Sequence, residues 1–468
     1  MTIGNDGQKP RLPIFGQAAL FFFGFALFAG DAAAQVLEFP AGPPAGELQC
    51  PPHKHHGRHK HAKRAGEALE PPANEELAAL SVQDEGQPQQ IILNGRGQPE
   101  TSRPFSIALW GDSLTAANYF SEEMVRDLGF SKDEVLPTFI PPDMDRSGVR
   151  LPIHKHCQGE GWSYEYAYVS RQTDVSFAKG LVNLRSHVPG SYLWVDFRTH
   201  SPEPNLRALD VLFAPPQANK RVVVGFTVDD GAEQIVELEQ GGDGLVRVRS
   251  EQPMSTLKLR LIEGSLVLQG FVPQYVQTPA AYFDTLSIPG ATAHAWKALN
   301  PDYLAQRGGN IAYDMVILEY GTNEGNDRGL DFNKYESDLR VSLHNLRQAY
   351  PGSLCVLIGP PDRGVLVKRG RGRKKRRAKP SKANLLKYSH IHQRIGDIQR
   401  AVGEEYSCSY WSWQDAMGGP GSAYRWLHHS PPLIGSDITH LTVPGYQISA
   451  RKFVSDTGLR KYLGMRAD

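Results

Sequence analysis

The chain has 468 residues, 40% of them apolar and 22% charged, with four cysteines and a formal charge of +1. This composition excludes wholesale disorder, and four cysteines over such a length exclude a disulfide scaffold. The near-neutral sum hides an asymmetry. Lys368 to Lys382 holds ten Lys/Arg and no acid, and His53 to Arg64 holds five and no acid. Without these two patches the chain is acidic, at about −14, which argues against a nucleic-acid-binding protein.

Lys9 and Arg11 precede the apolar run Leu12 to Gly30, and the small residues Ala32-Ala33-Ala34 follow it. That is the order of a secretory signal peptide, expected over residues 1–34. At about 19 residues the run is also long enough to span a bilayer, so an N-terminal membrane anchor is the alternative. No later stretch is long and apolar enough to cross, which excludes a multi-span transporter. The expected location is periplasmic or otherwise exported, a setting that permits disulfides. Cys355 and Cys408 lie in two apolar runs that can neighbour each other, and the sequence leaves open whether they pair or are inert core thiols.

Residues 35–102 are rich in Pro, Gly, Ala, Glu and Gln and read as a disordered His/Pro-rich linker. Its histidines His53, His55, His56, His59 and His61 suit either a divalent metal or a solvated basic spacer, and the spacer is the simpler reading. Order is expected from Pro104. Phe105 to Trp110 reads as a buried strand broken by Gly111-Asp112-Ser113, with a helical stretch to about Leu128. From about 180 to 275, short β-branched runs (192–197, 208–213, 221–228, 234–238, 245–248, 257–262 and 266–272) alternate with Gly, Pro and Asp, the texture of a β-sandwich. His154, His156 and Cys157 lack a fourth ligand at a usual spacing and read as loop residues, with no metal expected.

After about 281 the pattern becomes α/β. Strands are expected at 313–320, 353–358 and 406–413, and helices at 332–349, 385–402 and 444–462. Strands alternating with helices imply a parallel sheet covered on both faces. The strand at 105 lacks partners nearby and the later sheet lacks a first strand. The economical solution is one α/β domain, in parts 103–145 and 281–468, interrupted by an inserted β-rich domain at 146–280.

Ligands of such sheets sit beyond the C-terminal ends of the strands. Gly111-Asp112-Ser113 and Gly321-Thr322-Asn323-Glu324 follow two strands, and Asp437-Ile438-Thr439-His440 precedes the last helix. A serine hydroxyl is a poor nucleophile until a histidine takes its proton, and that imidazole needs a carboxylate to fix its tautomer. Asp437 and His440 are spaced to meet within one turn. The developing oxyanion needs fixed donors, for which the Ser113 N–H, the Asn323 amide and the N–H of Gly290 are candidates. Each block alone is ordinary: Gly-Asp-Ser is mostly a surface turn, and Asp-x-x-His can be a cap beside a surface histidine.

Together, Gly111-Asp112-Ser113-Leu114, Gly290, Gly321-Thr322-Asn323-Glu324 and Asp437-Ile438-Thr439-His440 resemble the four blocks of the SGNH (GDSL) hydrolases. Tyr320 to Glu324, Gly359-Pro360-Pro361-Asp362, Trp413 to Gly419 and His440-Leu441-Thr442-x-x-Gly445-Tyr446 are similar to bacterial peptidoglycan O-acetylesterases. The resemblance is strong over 103–128 and 281–468, and between them it is one of texture only. It implies a three-layer α/β/α, flavodoxin-like sheet interrupted by a carbohydrate-module-like β-sandwich. It also implies Ser113 as nucleophile, His440 as base, Asp437 as its orienting carboxylate, and an oxyanion hole of Ser113, Gly290 and Asn323, with no cofactor. Glu324 stands where the broader family usually has Asp after Asn, though the esterase subgroup shares the Glu.

The basic run 366–382 has no counterpart in that resemblance. It leaves the sheet on the side of the site, where Arg371, Arg373, Lys374, Lys375, Arg376 and Arg377 are candidates to hold an anionic glycan near Ser113. The alternative is a solvated insertion. Trp110, Trp162, Trp296, Trp411 and Trp413 suit sugar stacking, but core packing is the commoner fate of such residues. The expected function is a serine esterase removing O-acetyl groups from a cell-envelope polysaccharide, with peptidoglycan first. Its partner would be an acetylated cell-wall or envelope glycan. A polysaccharide O-acetyltransferase and a glycan-binding envelope protein with a vestigial site are the alternatives.

Overall fold

A computed structural model describes residues 34–43, 45–51, 69–72, 77, 86, 88–91, 93, 103–171, 176–199, 201–240, 242, 244–307, 312–368 and 380–464. The signal-type residues 1–33, the histidine tract and Arg371, Arg373, Lys374, Lys375, Arg376 and Arg377 lie outside the described residues. Among the described residues no helix is long and apolar enough to cross a membrane.

The apolar runs Phe105–Gly111, Met315–Glu319 and Leu354–Ile358 are buried on both faces, as strands covered by helices must be. They form the centre of a six-stranded sheet in the order Cys408–Trp411, Leu354–Ile358, Met315–Glu319, Phe105–Gly111, Ala281–Thr285, Val135–Leu136. All of its pairings are parallel. Alternate residues feed opposite layers. Leu109 and Ile317 pack with Phe120 and Phe453 of helices Tyr119–Asp127 and Val443–Thr457. Ala108 and Val316 pack with Leu343 and Ile395 of helices Phe332–Ala349 and Lys387–Glu405. The strand at 105 thus finds its partners some 170 and 210 residues later.

Two element boundaries differ from the expectation. The strand expected at 406–413 is Cys408–Trp411, because the Ser412 hydroxyl accepts the Asp415 N–H and starts a helix at Trp413. The terminal helix is Val443–Thr457 followed by Leu459–Tyr462, interrupted at Gly458 with φ 60°.

Between the first and third strands of this sheet the chain builds two antiparallel sheets. One runs Leu245–Met254, Leu206–Phe213, Leu266–Tyr275, Val182–Ser186, Trp162–Tyr166, and the other Gln234–Glu237, Val223–Val228, Thr256–Glu263, Tyr192–Asp196, Lys155–Gln158. Leu209, Val211, Val224, Phe226, Leu259 and Leu268 contribute to one hydrophobic cluster that both sheets share. The buried Lys179 donates to Thr138 at 2.9 Å and lies 3.5 Å from Asp284, so it ties this part to the parallel sheet.

Several expectations are corrected. The stretch 35–102 is not linker throughout: Gln35–Phe39 pairs in parallel with Leu245–Met254 and buries Phe39 to 4% exposure. Its apolar residues, few as they are, suffice for an edge strand. Cys50 is disulfide-bonded to Cys157, which lies with His156 on strand Lys155–Gln158 and not in a loop. Cys355 and Cys408 face each other on neighbouring strands and are also disulfide-bonded. The basic run is narrower than 366–382, because Val367–Lys368 pairs with Leu69–Glu70 and Lys382 begins the helix Lys382–Leu385. Trp110, Trp296, Trp411 and Trp413 are fully buried, which removes them from sugar stacking, whereas Trp162 is half-buried.

Candidate active site

Ser113 lies in the turn that leaves the central strand Phe105–Gly111, where the strands on either side continue in opposite directions along the sheet. The turn closes through Thr115 N–H and Ala116 N–H, both donating to the Asp112 carbonyl. Gly111 is required by close approach, since a Cβ there would sit 2.3 Å from Thr115 Oγ1 and 2.7 Å from Glu319 Oε2.

The structure brings the three sequence-derived residues into one line. His440 Nε2 is 2.9 Å from Ser113 Oγ, and His440 Nδ1 is 2.7 Å from Asp437 Oδ2. Asp437 Oδ1 accepts the N–H groups of Thr439 and His440, each at 3.0 Å. Ile438, fully buried with φ 53°, turns the chain so that acid and imidazole share one side. Burial pushes the Asp437 carboxyl up, but the bonds from His440 and the two N–H groups outweigh it and hold it at about 2. The hydrogen bond to Asp437 in turn raises His440 above the usual histidine range, against the opposing effect of burial.

Gly290 follows the strand Ala281–Thr285 and takes φ 88°, a conformation that favours glycine. Among the described residues neither its N–H nor that of Ser113 donates to a protein acceptor. Two unpaired backbone donors beside a serine can serve as an oxyanion site. Asn323 is present but engaged: its Nδ2 donates to Asp112 Oδ2 at 3.1 Å and to the Ala291 carbonyl at 2.8 Å. It therefore clamps the serine turn to the glycine segment. Beneath it, burial raises Asp112 to about 7, with the Glu324 charge adding to the rise, and raises Glu319 well above the carboxylate range, with the Asp112 charge adding there.

Two neighbours were not singled out in the sequence. Tyr168, just after the strand Trp162–Tyr166, places its hydroxyl 3.4 Å from where a Gly290 Cβ would lie. Nothing in its sequence context signals this. Arg363 follows the strand Leu354–Ile358, and the rule that ligands gather at strand C-termini could have found it. The Gly364 N–H donates to the Ile438 carbonyl, which fixes Arg363 beside the Asp437–His440 loop.

No protein-family model matches the chain, and no curated protein matches it. Among solved structures, it is similar to a peptidoglycan O-acetylesterase, with 21% identity, 78% of this chain and 93% of that chain covered, and a TM-score of 0.55. Family two carbohydrate esterases from Corynascus thermopiles (Myceliophthora fergusii) and Cellvibrio japonicus match at 12% and 13% identity. Each match covers 65% of this chain and 99% or 98% of the esterase, with TM-scores of 0.26 and 0.24. The first of these likenesses establishes that the chain has the fold of that esterase.

Proposed function

We propose that this protein is an exported serine esterase that removes O-acetyl groups from a cell-envelope polysaccharide, with peptidoglycan as the first candidate. The observation that carries the reading is the Ser113–His440–Asp437 line at 2.9 and 2.7 Å, beside two unpaired backbone N–H donors. The likeness to a structure described as a peptidoglycan O-acetylesterase supports the choice of polymer.

In this reading the Ser113 hydroxyl adds to the acetyl carbonyl as its proton passes to His440 Nε2. Asp437 holds Nδ1–H and stabilises the imidazolium. The tetrahedral oxyanion is held by the Ser113 and Gly290 N–H groups, with Asn323 fixing their spacing or sharing an amide hydrogen. Collapse expels the sugar hydroxyl, which takes the proton from His440. Water deprotonated by His440 then releases acetate from the acyl-serine.

Transfer of the acetyl group to a second sugar is the competing outcome of the same intermediate. The side chains of His440 and Asp437 are 48% and 49% exposed, so water reaches the base and favours hydrolysis. The two antiparallel sheets, residues 146–280, act in this reading as an inserted β-sandwich that contacts glycan, and the basic segment at 371–377 adds a cationic rim.

The test is acetate release from O-acetylated peptidoglycan by the wild-type chain and Ser113→Ala, with a small acetyl ester as control. Release that is lost in the variant is expected. Turnover of the small ester alone overturns the choice of polymer, and activity that survives in Ser113→Ala overturns the serine mechanism.

A further inference from the structure

The body of this protein is acidic, yet cations gather beside the Asp437–His440 loop. Arg363 Cζ lies 4.5 Å from the Tyr388 ring centroid, Lys387 Nζ 4.7 Å and Arg328 Cζ 5.9 Å. Arg328 Nε also donates to Tyr388 Oη at 3.3 Å. A neutral phenol attracts each cation through its ring but supplies no countercharge. Among the described residues, none of the three cations has a carboxylate within ion-pair distance, and Arg363 Nε, buried, has no partner. Arg363 feels the Asp437 charge, but the hydrogen bonds of Asp437 are all made within the His440 loop.

This cluster is fixed where a substrate would lie. Arg363 donates to Asn326, whose own N–H bonds the Asn323 carbonyl. Its carbonyl accepts from Ser389, and the next residue, Gly364, bonds Ile438. The guanidinium is thus braced between the Asn323 turn and the Asp437–His440 loop. Three like charges held together with no carboxylate in direct contact repel one another, and a bound anion would relieve that repulsion.

Resting on the esterase reading, we propose that Arg363, with Arg328 and Lys387 around Tyr388, forms a subsite for a carboxylate of the acetylated glycan. The planar guanidinium matches a carboxylate in geometry as well as charge. The carboxylate belongs to the acetylated sugar itself or to a peptide attached to it, and the two sources are separable by substrate.

Three esters make the comparison: O-acetylated N-acetylmuramic acid, which bears a carboxylate on its lactyl ether; the same sugar with a dipeptide on that ether, which moves the carboxylate outward; and O-acetylated N-acetylglucosamine, which has none. The wild-type chain is expected to prefer one carboxylate-bearing ester over the neutral one by roughly tenfold or more in kcat/KM, and whichever is preferred identifies the source. Arg363→Gln should cut that preference about tenfold, mainly through KM, and Arg363→Lys should retain part of it. The preference should also shrink as salt rises. Because Arg363 is braced between two loops, the pair Arg328→Gln/Lys387→Gln, one side chain exposed and the other half-buried, is a second variant and should lower the preference in the same sense.

Equal kcat/KM for all three esters, or a preference untouched in both variants, overturns the subsite. Calorimetry of the Ser113→Ala chain with free N-acetylmuramic acid and N-acetylglucosamine separates it from the esterase reading. Carboxylate-dependent binding that is lost in Ser113→Ala/Arg363→Gln supports the subsite even where no ester is turned over, and absence of any such difference counts against it.

Discussion

Asp143 provides a stability test with a defined sign and size. It is 1% exposed, its Oδ1 has no hydrogen-bond partner among the described residues, and burial pushes its carboxyl from 3.8 up to about 7. The nearest cation, Arg146, is already engaged over the Tyr166 ring at 5.2 Å and with the Pro289 carbonyl at 3.1 Å. Between pH 4 and 7 the folded chain therefore holds a proton that the unfolded chain has lost, so stability falls as pH rises. At about 1.4 kcal/mol per pH unit, the penalty is about 1.6 kcal/mol at pH 5 and about 4 kcal/mol at pH 8. Asp143→Asn keeps the shape of the protonated acid and removes the titration. Whatever constant offset the amide introduces, the variant should gain about 2.5 kcal/mol on wild type between pH 5 and pH 8. Urea unfolding followed at pH 5, 6, 7 and 8 measures the gap directly. Parallel stability curves for the two proteins would refute the reasoning, because they would place the same charge on Asp143 folded and unfolded.

Asp437→Asn removes the hydrogen bond that raises His440, so the rising limb of the pH–rate profile should move to lower pH while kcat falls by roughly 10²–10⁴-fold; a limb that stays in place contradicts the pairing. Gly290→Ala should cost about 1–2 kcal/mol by thermal unfolding, from its positive φ rather than from contact, since 3.4 Å to Tyr168 is ordinary van der Waals distance. Adding Tyr168→Phe should therefore not restore it. Deleting 369–379, which spares the strand at Val367–Lys368 and the helix at Lys382, should raise KM for O-acetylated peptidoglycan most at low salt and leave a small neutral ester unaffected. Equal effects on both substrates would remove the basic segment from substrate binding.

How much of this was legible depended on how local the signal is. Continuous apolar runs such as Tyr313–Tyr320 and the helix at 332–349 announce themselves within a dozen residues, and both lie where expected. The Ser113–His440–Asp437 hydrogen-bonded line was foreseeable because the chemistry sought demands three residue types, even though Ser113 and His440 are 327 residues apart. Strands Lys155–Gln158 and Trp162–Tyr166 were missed because their residues are polar or half-buried. They owe their conformation to partners at Tyr192–Asp196 and Val182–Ser186. Phe39 was hidden for a related reason: five residues in a Pro-rich stretch become a strand only because a sheet edge is there to receive them. Tyr168 gains meaning only from its neighbour Gly290, which no spacing rule encodes, whereas Arg363 stands beyond a strand end where the sequence could have pointed to it.

The buried carboxylates show how the same motifs serve two ends. A strand that stops to present a nucleophile leaves backbone N–H groups without ladder partners, and burying them unpaired is costly. Asp112 accepts the Leu114 N–H in the serine turn, and Glu319 accepts the Asp112 N–H and the Thr115 hydroxyl. Glu324 accepts the N–H groups of Ala293 and Gly321, joining the glycine and asparagine segments. Asp284 accepts those of Thr138 and Phe139, and Asp362 those of Gly421 and Ala423. Each carboxylate stands at or just beyond the C-terminal end of a parallel strand, where turns are tight and donors converge. The expense is visible in the raised pKa values of Asp112, Glu319, Glu324 and Asp362, which burial pushes up against the hydrogen bonds that favour the charge. The Asp of Gly-Asp-Ser and the Glu of Gly-Thr-Asn-Glu are thus positioning residues. They hold the turns on which the reactive atoms sit, and in the proposed reaction the chemistry falls to Ser113, His440, Asp437 and two backbone N–H groups.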